Sequence, residues 1–222
     1  LPVKDICRRA RNNGILTLVD GAHAPGQIDL DLDALGTDFY TGNCHKWLMA
    51  PKGAGFLYTR PGSQQLIEPL IVSWGWRAEE PFNLGSAYLN NFEWMGTRDY
   101  SAFLSIPAAI QFQKQHHWAE VRRQCQELLH QALAGIVDLT DIPSIYPDGP
   151  MHPIQMGAAE LPKLKEARVF QGELYDHYRI EIPCLEWNQR QFIRVSIQGY
   201  NSQKDVEALL SALHTLLPEH TA

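Results

Sequence analysis

The stretch YTGNCHKWLMAPKGAGFLY, residues 40–58, sets the reading of the whole chain. It places Lys46 between a short polar loop and the apolar run from Trp47 to Ala50, with Pro51, Gly53 and Gly55 close behind. An ammonium among apolar neighbours loses hydration, so a lysine held there calls for a chemical reason. On its upstream side, DFYTG (38–42) reads as a short strand that ends in the loop carrying Lys46. On its downstream side, GFLYT (55–59) reads as another strand.

Further upstream, Val3, Ile6, Cys7 and Ala10 fall at helical spacing, and Gly14 stops the helix. The continuous apolar run ILTLV (15–19) then predicts a buried parallel strand, ending at Asp20 and the loop GAHAPGQ. Helix, glycine, strand is half of an α/β unit. Loops beyond the carboxyl ends of parallel strands are where open α/β sheets bind ligands. Leu32 to Leu35 predicts one helical turn.

From residue 101 the pattern turns helical, with Trp118, Val121, Cys125, Leu128, Leu129 and Ala132 on one stripe. A Pro- and Gly-containing loop is expected at 143–153, then a strand at PIQMGA (153–158) and a helix near 164–178. In QFIRVSIQ (191–198), Ile193, Val195 and Ile197 face one way and Phe192, Arg194 and Ser196 the other. A closing helix carries Val206, Leu209, Leu210, Leu213 and Leu217 on one face. The expected organisation is an α/β portion over 1–100, connecting helices over 101–135 and a smaller α+β domain over 136–222.

The 222 residues carry a formal net charge of −6, which argues against nucleic acid or an anionic membrane as the main partner. No apolar run reaches the roughly 18–20 residues of a membrane span. Cysteines at 7, 44, 125 and 184 form no CxxC pair, so free thiols and a cytoplasmic location are expected. Because the chain starts at Leu1 with a helix running straight into a strand, a fragment of a longer chain is expected.

Taken alone, Asp20 is equally an aspartate capping the next turn, and Lys46 equally a lysine reaching solvent. Together they fit one chemistry. A lysine with a weakened hold on its proton is a good imine-forming nucleophile. A carboxylate can hold a pyridine nitrogen protonated and make the ring an electron sink. Pyridoxal 5'-phosphate needs both groups, one at each end of its ring.

Four motifs in order carry a resemblance: VDGAHAPGQ (19–27), GNCHKWLMAPKGAGFLY (42–58), EWMGTRDYSA (93–102) and RVSIQGYN (194–201). With these the chain resembles class V aminotransferase-family enzymes, which are fold-type I pyridoxal-phosphate enzymes, and within them the isopenicillin-N-epimerase-like branch. The resemblance implies an α/β fold: part of a large domain with a mostly parallel sheet, plus a small C-terminal α+β domain. It implies that Lys46 holds the cofactor as an aldimine and then shuttles the substrate Cα proton. It implies that Asp20 pairs with the pyridine nitrogen and that His23 sits near the ring hydroxyl. His45 and Asn43 would hydrogen-bond the phosphate, although relatives often have Ser at the position of Asn43. Thr97, otherwise a helix cap, would reach the phosphate of the partner in a homodimer. Arg194 would take the substrate carboxylate as a bidentate pair.

Epimerisation, elimination and transamination stay open, and so does a non-catalytic remnant. A cysteine desulfurase would need a mobile nucleophile, and Cys184 lies in IPCLEW, which reads as a strand end. A metal site from His23, Cys44 and His45 lacks zinc-finger or metalloprotease spacing. KGAG (52–55) lacks the patterns of nucleotide-binding loops.

Overall fold

The computed structural model describes residues 1–77, 83–146 and 153–221. It divides into two compact units, Leu1–Lys114 and Gln115–Ala222. The loop expected at 143–153 falls for the most part, residues 147–152, outside the described residues.

The first unit opens with helix α1 (Val3–Asn12), whose Cys7 is buried. Strand β1 (Leu18–Asp20) follows, then the one-turn helix α2 (Leu32–Leu35), β2 (Phe39–Asn43) and β3 (Gly55–Thr59). Asp31 caps α2 by accepting a hydrogen bond from Ala34 N. The sheet order is β1-β2-β3, with β1 parallel to β2 and β2 antiparallel to β3. Helices α3 (Ala87–Glu93), α4 (Ser101–Leu104) and α5 (Ile106–Gln115) complete the unit. Cys44, Ala50 and Ala54 form a small buried cluster, with Phe56, Ala102, Ile106 and Ala109 packed against it.

The ILTLV strand is shorter and more exposed than expected. Ile15 N still bonds back to Ala10 O at the end of α1, and Thr17 N donates to the Asp38 carboxylate at 2.9 Å. The residues paired with β2 begin at Leu18, with the Thr17 carbonyl accepting from Phe39 N at 2.9 Å. Ile15, Leu16 and Leu18 are 56–68% exposed; among the described residues β1 has a strand on one side only.

Asp38 ties this sheet together. It is 3% exposed and accepts from Thr17, from Ser63 Oγ at 3.1 Å and from Arg60 Nη2 at 2.5 Å. Burial alone would raise its carboxyl, but the bonds from Arg60, Thr17 and Ser63 outweigh that and lower it to about 2.

The second unit is built on the antiparallel sheet β4-β6-β5, from β4 (Met156–Leu161), β5 (Cys184–Trp187) and β6 (Arg190–Ser196). Helices α6 (Trp118–Thr140), α7 (Ala167–Tyr178) and α8 (Gln203–His220) contribute the apolar stripes that cover it. Leu129, Ile136, Phe170, Leu174, Ile193 and Leu213 are fully buried in one core. Ser202 and Asp205 form a capping box at the start of α8.

Candidate active site

Because β1 and β2 run parallel, with Asp20 opposite Thr41, the loops that follow them leave the same edge of the sheet. The loop after β1 carries His23, and the loop after β2 carries Lys46. The two side chains meet there, with Lys46 Nζ 3.1 Å from His23 Nε2. Lys46 is half-buried rather than buried. The turn that presents it is tight: Met49 N bonds Lys46 O, Ala50 N bonds Cys44 O, and Cys44 N bonds Ala54 O.

A third residue belongs to this contact. Trp47 Nε1 donates to His23 Nδ1 at 3.0 Å. Trp47 is 9% exposed, and Gln113 of α5 donates to its carbonyl at 2.9 Å. The two loops touch through Gly26, at φ 89°, where a Cβ would fall 2.4 Å from the Trp47 carbonyl. Only glycine fits this approach. Gln27 then fixes the His23 backbone, donating to its carbonyl at 2.8 Å.

Asp20 lies at the end of β1 and is exposed; one of its oxygens accepts from Ala22 N at 3.0 Å. The carboxylate therefore does cap the turn. Gly21 lets the chain pass against the Tyr40 ring, since a Cβ there would sit 1.8 Å from the hydroxyl. Burial, and then the charge of Asp20, raise the Tyr40 phenol above its ordinary value.

His45 Nδ1 lies 2.9 Å from Ala54 O. A carbonyl only accepts, so Nδ1 carries a proton and Nε2 faces away from this bond. Asn43 ends β2 opposite Gly55. Thr97 is exposed and is not a helix cap: α4 starts at Ser101, whose N–H is taken by Asp99 at 2.8 Å. Thr97 lines a hollow with Trp74, Trp94 and Tyr100, and among the described residues no hydrogen bond joins it to the Lys46 cluster.

Arg194 belongs to the second unit. It lies opposite Ala158 on β6 and lines a cleft of about 610 Å³ with Tyr178, Asn201 and Asp205. Its Nε is buried and has no hydrogen-bond partner among the described residues. A buried guanidinium N–H without an acceptor is costly.

The cysteines are free. Burial raises the Cys44 thiol and pushes Cys184 up to about 11. Cys184 is fixed in β5 opposite Ile193, not on a loop. The described residues hold no group of three or more His, Cys, Asp or Glu arranged for a metal ion, and no helix among them is long and apolar enough to cross a membrane.

The sequence reading missed Trp47 and Gln113. The only signal was the tryptophan directly after Lys46, and an apolar run disguises it as core. The structure brings His23 and Lys46 into contact, and Asp20 and His45 onto the same edge of the sheet.

Comparison with known proteins gives a consistent picture. The family model for aminotransferase class-V matches residues 1–209. Isopenicillin N epimerase of Amycolatopsis lactamdurans is 38% identical over 97% of this chain and 56% of that protein. Isopenicillin N epimerase of Streptomyces clavuligerus is 35% identical over 99% of this chain and 57% of its own length. A probable chloroplastic L-cysteine desulfhydrase of Arabidopsis thaliana is 28% identical over 98% of this chain and 48% of that protein. The chain thus spans about half the length of the curated relatives it matches. Among solved structures, apo cysteine desulfurase from Thermococcus onnurineus NA1 superposes with a TM-score of 0.80 at 22% identity, covering 98% of this chain and 56% of that one. At that identity the likeness shows a shared fold.

Proposed function

The chain belongs to the aminotransferase class-V family of fold-type I pyridoxal-phosphate enzymes, and from that premise we propose that it acts at the Cα of an amino acid through Lys46, as an isopenicillin-N-epimerase-like enzyme. The observation that carries the proposal is the Lys46 amine held against His23 at the carboxyl edge of β1 and β2.

The side chains present fit the cofactor. They are an amine at Lys46, a carboxylate at Asp20 and an imidazole nitrogen of His45 turned away from its backbone bond. When bound, pyridoxal phosphate supplies a carbonyl carbon that amines attack and a ring that takes up the electrons of a deprotonated Cα. Lys46 would be the amine that holds it and the base for the Cα proton. Asp20 holds the proton of the ring nitrogen. His23 offers a hydrogen bond to the ring oxygen. Asn43 and His45 hydrogen-bond the phosphate, and in a homodimer Thr97 reaches the phosphate of the other subunit. Arg194 pairs with the substrate carboxylate.

Where the proton returns decides the reaction. Its return to Cα from the opposite face is epimerisation, and this is the reading the two epimerase relatives favour. Loss of a β substituent is the second reading, favoured by the desulfhydrase relative. Persulfide chemistry at Cys184 is disfavoured by its raised thiol and its place in a paired strand. Incubation with each enantiomer of candidate amino acids in deuterated water separates the readings. Epimerisation gives the other enantiomer with deuterium at Cα. Elimination gives a keto acid and ammonia. Absence of any exchange at Cα excludes both.

A further inference from the structure

Hydrogen-bond direction around His23 fixes where its proton is. An indole N–H can only donate. Trp47 Nε1 lies 3.0 Å from His23 Nδ1, so Nδ1 is unprotonated and accepts. A neutral imidazole with a bare Nδ1 carries its proton on Nε2. That Nε2 is the atom 3.1 Å from Lys46 Nζ. For the contact to be a hydrogen bond, His23 donates and the Lys46 amine accepts with its lone pair. An ammonium has no lone pair to accept with.

We propose that Trp47 is a positioning residue, whose indole N–H locks His23 in the Nε2–H tautomer and so favours Lys46 as a neutral, nucleophilic amine. The arrangement is held from several sides. Trp47 is buried, Gln113 grips its carbonyl, and Gly26 admits the His23 loop against its backbone. Freedom to slide or flip, which would let the imidazole choose the other tautomer, is removed. The proton placement stands on hydrogen-bond geometry alone; its consequence for the reaction rests on the proposed role of Lys46.

Two measurements on the ligand-free 222-residue chain test it. Nitrogen-15 NMR of the histidine rings, with His23 assigned by H23Q, is expected to show His23 as the Nε2–H tautomer. In W47F, which keeps the ring bulk and loses the N–H, that tautomer is expected to give way to a mixture. Competitive labelling with trinitrobenzenesulfonate at neutral pH, read by peptide mass spectrometry against Lys52, is expected to fall about three- to tenfold at Lys46 in W47F. Should W47F unfold, H23Q and H23L decide. Glutamine can accept from Trp47 and donate to Lys46, so H23Q keeps the labelling ratio and H23L loses it.

A His23 that is Nδ1-protonated or an imidazolium in the wild type overturns the proposal. So does a folded W47F with unchanged tautomer and labelling, or an H23L that labels like H23Q. If the tautomer holds but Lys46 never captures the cofactor, the functional reading fails and the relay stands.

Discussion

Trp47 donates to His23 across twenty-four positions of sequence, and His23 in turn touches Lys46, the residue next to Trp47. The two loops at the sheet edge are thus closed onto each other by one imidazole. The closure depends on a backbone approach that a single methyl group would block.

Gly26→Ala tests that approach. Its φ is 89°, and its Cβ would lie 2.4 Å from the Trp47 carbonyl carbon and oxygen. Both the positive φ and the clash oppose alanine, for a destabilisation of about 2 kcal/mol or more. Thermal unfolding is expected to show it, together with faster hydrogen exchange at the Trp47 indole.

Asp38 gives the protein an acid-sensitive joint. Its carboxyl is lowered from an ordinary 3.8 to about 2, so the folded state holds the charged form more tightly than the unfolded state. The stabilisation is complete above about pH 4 and is lost as the pH falls towards 2. Linkage gives about 2 kcal/mol for it. Asp38→Asn is expected to lower stability at pH 7 by a similar amount and to flatten the acid limb of a denaturant-midpoint against pH plot. An unchanged acid limb counts against this assignment.

Cys184→Ala separates this chain from persulfide chemistry. With its thiol pushed up to about 11 and its backbone paired in β5, Cys184 carries almost no thiolate at neutral pH. Iodoacetamide is expected to react slowly with it, and C184A is expected to retain turnover. Loss of sulfur release from cysteine in C184A, with cofactor capture intact, is the result that restores the desulfurase reading.

Arg194→Lys probes the substrate carboxylate. The Nε of Arg194, without a partner among the described residues, supplies a donor that lysine cannot place in the same fork. The preference for a free amino acid over its amide, read by spectral titration of the cofactor-loaded protein, is expected to shrink by about tenfold or more. An unchanged preference moves the carboxylate elsewhere.

Much of this was visible in the sequence because the elements obey local rules. The strands expected at 38–42 and 55–59, observed at 39–43 and 55–59, and the stripes of α6 and α8 follow from local pattern. Strand β1 proved shorter than its apolar run because Ile15 bonds back to α1 and the Thr17 N–H goes to the Asp38 side chain. No local pattern encodes that choice. Asp38 itself was overlooked for the same reason, since Arg60, the partner that makes its burial tolerable, lies 22 residues on. Lys46 and His23 stood out by residue type and motif. Trp47 did not, because a tryptophan in an apolar run announces packing, and only the fold shows where its N–H points.

Capture of pyridoxal phosphate by the Lys46 amine is tested most directly by borohydride reduction after incubation with the cofactor, followed by peptide mass spectrometry, with K46A and W47F alongside. One pyridoxyl group is expected, located on Lys46, absent from K46A and formed more slowly in W47F. A modification spread over surface lysines such as Lys52, or one that persists undiminished in K46A, would contradict it.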